Sequence, residues 1–153
     1  MPSSDSINRQ TWREQLATLI DTALDSTWDV FNYGTANFNG KARNVVIASG
    51  DTDYPEMGAG SRDVAEGEAE FDFYITLFIL YADDSQSWTA KNSEDALDLG
   101  RKKIADVIRD NYKVTSYWEK LVPNGRSRVG ITPDEGGPVY RYEVIPVRAS
   151  NYI

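Results

Sequence analysis

The chain has 153 residues, 41% of them apolar and 12% aromatic, with a formal charge of −8 and neither cysteine nor histidine. That length and composition predict one folded domain with a real core, and the charge argues against wrapping nucleic acid as a cationic protein does. Without cysteine there are no disulfides, thiolate nucleophiles or zinc–thiolate sites, and without histidine the commonest general base and transition-metal ligand are missing.

Residues 1–10, MPSSDSINRQ, are polar and predict a flexible N-terminus. They lack the basic start and apolar run of a signal peptide, so the protein is expected to be made in a reducing cytoplasm. Thr11-Trp12-Arg13-Glu14 has capping-box form. Trp12, Leu16, Leu19, Ile20 and Ala23 then recur at helical spacing, which predicts a first amphipathic helix ending near Asp25. Thr27 to Tyr33 reads as a short strand, Asn39-Gly40 as a turn, and Arg43 to Ala48 as a β-branched strand. Residues 49–65 hold three Gly, one Pro and several acids, which marks a long loop.

The next stretch, EFDFYITLFILYADD, is the most apolar in the chain. In a strand, Phe71, Phe73, Ile75, Leu77, Ile79 and Tyr81 share one wholly apolar face. The other face begins with Glu66, Glu68, Glu70 and Asp72 and turns apolar at Phe78 and Leu80. The first face needs helices over it. The Phe78 and Leu80 patch needs another cover, either a neighbouring subunit or a second layer of the same chain. The longest apolar run, Phe73 to Ala82, is about half of what a membrane-spanning helix needs.

After a loop from Asp83, Asn92 or Ser93 is expected to cap a second helix with Leu97, Gly100, Ile104, Val107 and Ile108 as its apolar stripe. Arg101, Lys102 and Lys103 are expected on its solvent side. Tyr117 to Val122 suits a short strand or a helical turn. Arg126 to Thr132 predicts a strand, Asp134 to Pro138 a turn and Val139 to Arg148 a last strand, in which Pro146 signals an edge or a bulge. The fold class is therefore α+β: one domain over residues 11–153, with an antiparallel or mixed sheet and two main helices on one face.

Motifs for chemistry are weak. Asp51-x-Asp53 with Glu56 invites a calcium loop, but Pro55 and Glu56 stand where the fifth position and the turn glycine belong. Gly58-x-Gly60 fails as a dinucleotide fingerprint because Asp63 replaces the third glycine. No catalytic residue, cofactor or metal is expected.

Charge is distributed unevenly. Residues 51–84 carry ten acids (51, 53, 56, 63, 66, 68, 70, 72, 83 and 84) against Arg62 alone, whereas residues 91–153 carry eleven Lys or Arg against nine acids. The row Glu66, Glu68, Glu70, Asp72 sets like charges about 7 Å apart along one strand face. It either solubilises a strand end or lines a surface that must not adhere, such as a channel for DNA.

The order of elements adds more. An N-terminal helix with Trp12 and Leu16, a Trp28–Tyr33 strand and an Asn-Gly turn lead to a long apolar strand flanked by acids. A second helix and a closing GGPVYRYEV strand follow. Over residues 8–148 this architecture resembles the tail terminator and tail-completion proteins of long-tailed bacteriophages. The resemblance implies a virion protein of the tail–neck region: a ring, usually of six subunits, that caps the tail tube, meets the head connector or stopper and leaves a lumen for the genome. On that reading Phe78 and Leu80 are expected at the subunit interface. The acid row would face a lumen through which DNA passes without specific binding. Asp51, Asp53, Tyr54, Glu56, Met57 and Arg62 would form an arm that docks on a partner. The alternatives are a head–tail connector of the neck and, from another class, a monomeric binding module or enzyme. No membrane is involved in any of these.

Overall fold

A computed structural model describes residues 8–35, 37–50, 69–83, 87–134 and 136–151. Their order is α1 (Arg9–Ala23), β1 (Asp29–Phe31), β2 (Arg43–Ser49), β3 (Ala69–Leu80), α2 (Ala90–Asp110), β4 (Lys120–Pro123), β5 (Arg128–Ile131) and β6 (Tyr140–Asn151). The expected α+β class holds, with a six-stranded mixed sheet.

Both helices start earlier than their capping motifs suggested. The Asn8 side chain accepts from the Thr11 N–H at 2.7 Å, so Asn8 caps α1 and residues 9 and 10 are helical rather than loose. Thr89 does the same for α2 through the Asn92 N–H at 3.1 Å. Ser93, one of the two expected caps, is instead fully buried. A short polar side chain at either of two nearby positions can satisfy the same orphan N–H groups, and tertiary packing chooses between them.

The sheet order is β1-β2-β3-β6-β4, with β5 following β4 along the outer side of β6. The long β3 and β6 pair antiparallel at its centre, with Ile75 opposite Ile145 and Phe73 opposite Val147. Beneath the helices Phe73, Ile75, Leu77 and Ile79 are fully buried, joined by Val45, Ile47, Val147 and Ala149. From α1 and α2 come Trp12, Leu16, Ile20, Leu97, Ile104 and Val107. Trp12 stands edge-on to Phe71 and to Trp118, at 5.1 and 5.9 Å between ring centroids.

Gly100 lies where the Trp28 indole crosses α2. A Cβ there would come within 2.6 Å of the Trp28 ring and 3.1 Å of a Leu77 methyl. Gly100→Ala gains about 1 kcal/mol of helix propensity. It forces a shift of a nearly buried Trp that costs about 1–3 kcal/mol. A net loss near 1 kcal/mol is the expected result by urea unfolding. A gain would show that Trp28 moves aside freely.

Pro146 lies inside the sheet rather than on an edge, opposite the gap between β4 and β5. Its carbonyl accepts from the Asn124 N–H at 2.8 Å, toward the outer strand. In a strand the nitrogen of the same residue points the same way. There Pro123 pairs with Val147 and Arg128 with Val144, so residues 124–127 oppose only 145 and 146. The ladder needs no donor at that point, which is why proline is tolerated in a strand paired on both sides.

β1 pairs with β2 in parallel, Val30 opposite Val45. A parallel neighbour requires the chain to cross over the sheet rather than turn back. Residues 32–35 and 37–42 lie on that crossing, and Phe38 among them packs on the face away from the helices.

Candidate functional site

The crossover answers what covers the apolar end of β3. Leu80 is 2% exposed, sealed with Phe38, Val46 and Tyr140 in a second small core. Phe38 lies 5.0 Å from Phe78 and 5.1 Å from Tyr140 between ring centroids. The Trp88 indole N–H donates to the Leu80 carbonyl, and the Arg43 guanidinium sits 4.9 Å over the Trp88 ring. The placement of Phe78 and Leu80 at a subunit interface is therefore corrected for Leu80, whose cover is intramolecular. Phe78 is half-buried and borders an open groove of about 540 Å³ with Asn37, Thr132, Pro138 and Tyr140. Burial raises the pKa of the Tyr140 hydroxyl.

The acid row is also reorganised by partners distant in sequence. Asp72 lies directly across from Arg148. Arg148 donates from Nε to Oδ1 at 2.8 Å and from Nη2 to Oδ2 at 3.3 Å, and the Asn124 amide donates to Oδ1 at 3.2 Å. Nη1 of the same arginine pairs with Glu70 at 3.4 Å. Asp72 is only 9% exposed. Its carboxylate is a structural acceptor rather than a bare charge facing a lumen. Glu66 and Glu68 lie outside the described residues. So do Asp51, Asp53, Tyr54, Glu56, Met57 and Arg62, both as a docking arm and as a calcium loop. Among the described residues no three carboxylates gather into a metal-binding group.

Around Asp72 the open face of the sheet forms a groove of about 410 Å³ with Tyr74, Asn124, Arg126, Arg128 and Pro146. Arginines, not acids, dominate its rim. Arg148 was invisible as a partner because nothing but strand register brings it to Asp72.

Arg101 is exposed on α2, as expected, and it also reaches Glu143 of β6 at 3.0 Å, while Glu94 pairs with Arg141 two residues earlier on the same strand face. Glu143 is 4% exposed, so the flank of α2 rests on charged pairs instead of apolar contacts. Lys102 and Lys103 are exposed, as expected.

The two borders of the sheet differ in chemistry. On one, β5 pairs only with β6 among the described residues and leaves Val129 and Ile131 about half exposed. On the other, α1 and β1 enclose a groove of about 510 Å³ lined by Glu14, Ala17, Asp21, Phe31 and Tyr33. Beyond it the Thr27 hydroxyl and backbone N–H hold the pKa of Asp25 below the ordinary carboxylate value. No described helix is long and apolar enough to cross a membrane. No family model and no curated protein matches the chain.

Proposed function

We propose that the chain is a structural subunit of a long-tailed bacteriophage, a tail-terminator-like protein whose copies close into a ring of six. The ring caps the tail tube, joins it to the head connector and encloses a lumen for the genome, and the subunit carries out no catalysis. The observation that supports this reading best is the pair of sheet borders. Both end in short strands with large apolar side chains in solvent beside them, Val129 and Ile131 within β5 on one and Tyr33, two residues past β1, on the other. A strand border of this kind invites pairing with another chain, and two unlike borders on one subunit suit a cyclic assembly. The α+β fold is the one the sequence resemblance implies. Within the acid row, a lumen role rests on Glu66 and Glu68, because Asp72 and Glu70 share Arg148.

Sedimentation of the purified protein, with and without tail tubes, tests the proposal. The expected result is a closed oligomer, or a monomer that assembles on tube ends and adds density at the head-proximal tip in particle images. A monomer that joins no particle overturns it.

A further inference from the structure

We infer that the free edge of β5 pairs antiparallel with β5 of a second copy, about a two-fold axis at Gly130. The contact is additional to the ring, and only its consequence for assembly rests on the ring reading.

Backbone direction supplies the edge. The Thr132 N–H donates to the Tyr140 carbonyl at 2.8 Å, so Thr132 turns its backbone groups toward β6. Alternation along an antiparallel strand gives Gly130 and Arg128 the same direction, and Val129 and Ile131 the opposite one. Val129 and Ile131 each hold an N–H and a carbonyl outward, where among the described residues no strand pairs with them. In a two-fold pairing centred on Gly130, Val129 faces Ile131 of the second copy and exchanges both bonds with it. A register shifted by two residues one way sets Pro133, which has no N–H, against Val129. Shifted the other way, it sets Ser127, outside β5, against Ile131. Odd shifts set outward groups against inward ones.

The side chains agree with that register. Val129 and Ile131 stand on the helix side of the sheet, opposite Glu143 and Arg141, and are 53% and 52% exposed. Glu143 and Arg141 are already paired with Arg101 and Glu94, so the edge offers apolar surface on that side. Pairing lays the aliphatic side chains of the two copies against each other. Gly130, at the axis, has no side chain, and the Tyr142 ring takes the space a Cβ would need. Arg126 and Arg128 lie at one end of β5 and Asp134 just past the other. All three are exposed, and among the described residues none forms an ion pair. Asp134 accepts from the Gly136 N–H at 3.3 Å and keeps its charge. Antiparallel pairing lays the cationic end of each β5 beside the acidic end of the other, which makes a second copy the fitting occupant. In a ring whose subunits all point one way, no two-fold axis relates neighbours. The β5 pair therefore belongs to the protein before assembly. It shields a free strand edge and opens as subunits add to the tube end.

Val129→Lys with Ile131→Lys sets lysine against lysine at both facing positions, and Val129→Glu with Ile131→Glu sets glutamate against glutamate. Without tail tubes, the wild type is expected to sediment as a dimer at about 0.1 mM, a concentration suited to a small interface. Each double variant is expected to dimerise at least about tenfold more weakly. Their one-to-one mixture is expected to recover the dimer, because every lysine then faces a glutamate. Both positions are half exposed, so circular dichroism should match the wild type. As a measurement free of substitutions, hydrogen exchange at the Val129 and Ile131 amides should slow as wild-type protein rises from about 1 μM to 0.1 mM. The β5 pairing is overturned by a wild type that is monomeric at the higher concentration, or by double variants that associate as it does. A mixture that stays monomeric, or amide exchange that ignores concentration, overturns it equally. The ring reading then stands if the wild type joins tail tubes. A wild-type dimer that joins no tube overturns the ring alone.

Discussion

Trp12→Ala is expected to lower stability by about 4 kcal/mol, the scale of losses when a large aromatic side chain is removed from a core. Trp12 is fully buried and holds three elements at once, since it projects from α1 onto Phe71 of β3 and Trp118 before β4. The remaining space cannot collapse, because its walls belong to a helix, a strand and a loop anchored separately. The Trp118 indole, for instance, donates to the Asn111 carbonyl at 2.9 Å. In a protein of this size the loss corresponds to a fall in Tm of roughly 10 °C. Leu99→Ala, at a half-exposed position on α2, should change stability by no more than about 0.5 kcal/mol. Comparable effects of the two substitutions in urea unfolding would show that the α1–β3–Trp118 junction is not the centre of the core.

Asp72→Lys is the second large effect, and it separates the structural reading of the acid row from the lumen reading. If the row were a bare negative surface, a lysine would relieve repulsion and leave the fold unchanged or slightly more stable. In the structure it removes the acceptor of three hydrogen bonds and sets an ammonium opposite the Arg148 guanidinium. Breaking a fully buried pair costs about 3–5 kcal/mol. The Arg148 side chain is 39% exposed, so screening reduces the expected loss to about 2–3 kcal/mol. Asp72→Asn, which keeps an acceptor, should lose less. Glu66→Lys is the contrasting substitution for the lumen reading and is expected to alter genome release rather than stability. An unchanged unfolding midpoint for Asp72→Lys would return Asp72 to the solvent-facing row.

The sequence by itself determined the local elements and the first core. Alternation from Phe71 to Ile79 dictates a strand buried on one face, because side chains repeat every two residues whatever the strand pairs with. The stripes at Trp12, Leu16 and Ile20 and at Leu97, Gly100 and Ile104 likewise dictate helices laid on that face. Asn39 and Gly40 both take positive φ, 53° and 72°, as their residue types favour. Pro146 signalled an edge or a bulge, and the structure instead sets it opposite the gap between β4 and β5.

Tertiary structure alone decided which distant residues meet. Register set Arg148 against Asp72, 76 positions away, and gave Asp72 and Glu70 a shared cation. The parallel placement of β1 forced a crossover between β1 and β2, and with it Phe38 became the cover for Leu80. Helix rotation and strand register together brought the exposed Arg101 within reach of the buried Glu143, a partner 42 positions away. Periodicity specifies which way a side chain points relative to its own element. The order of strands specifies what it points at, and that order depends on contacts summed over the whole chain.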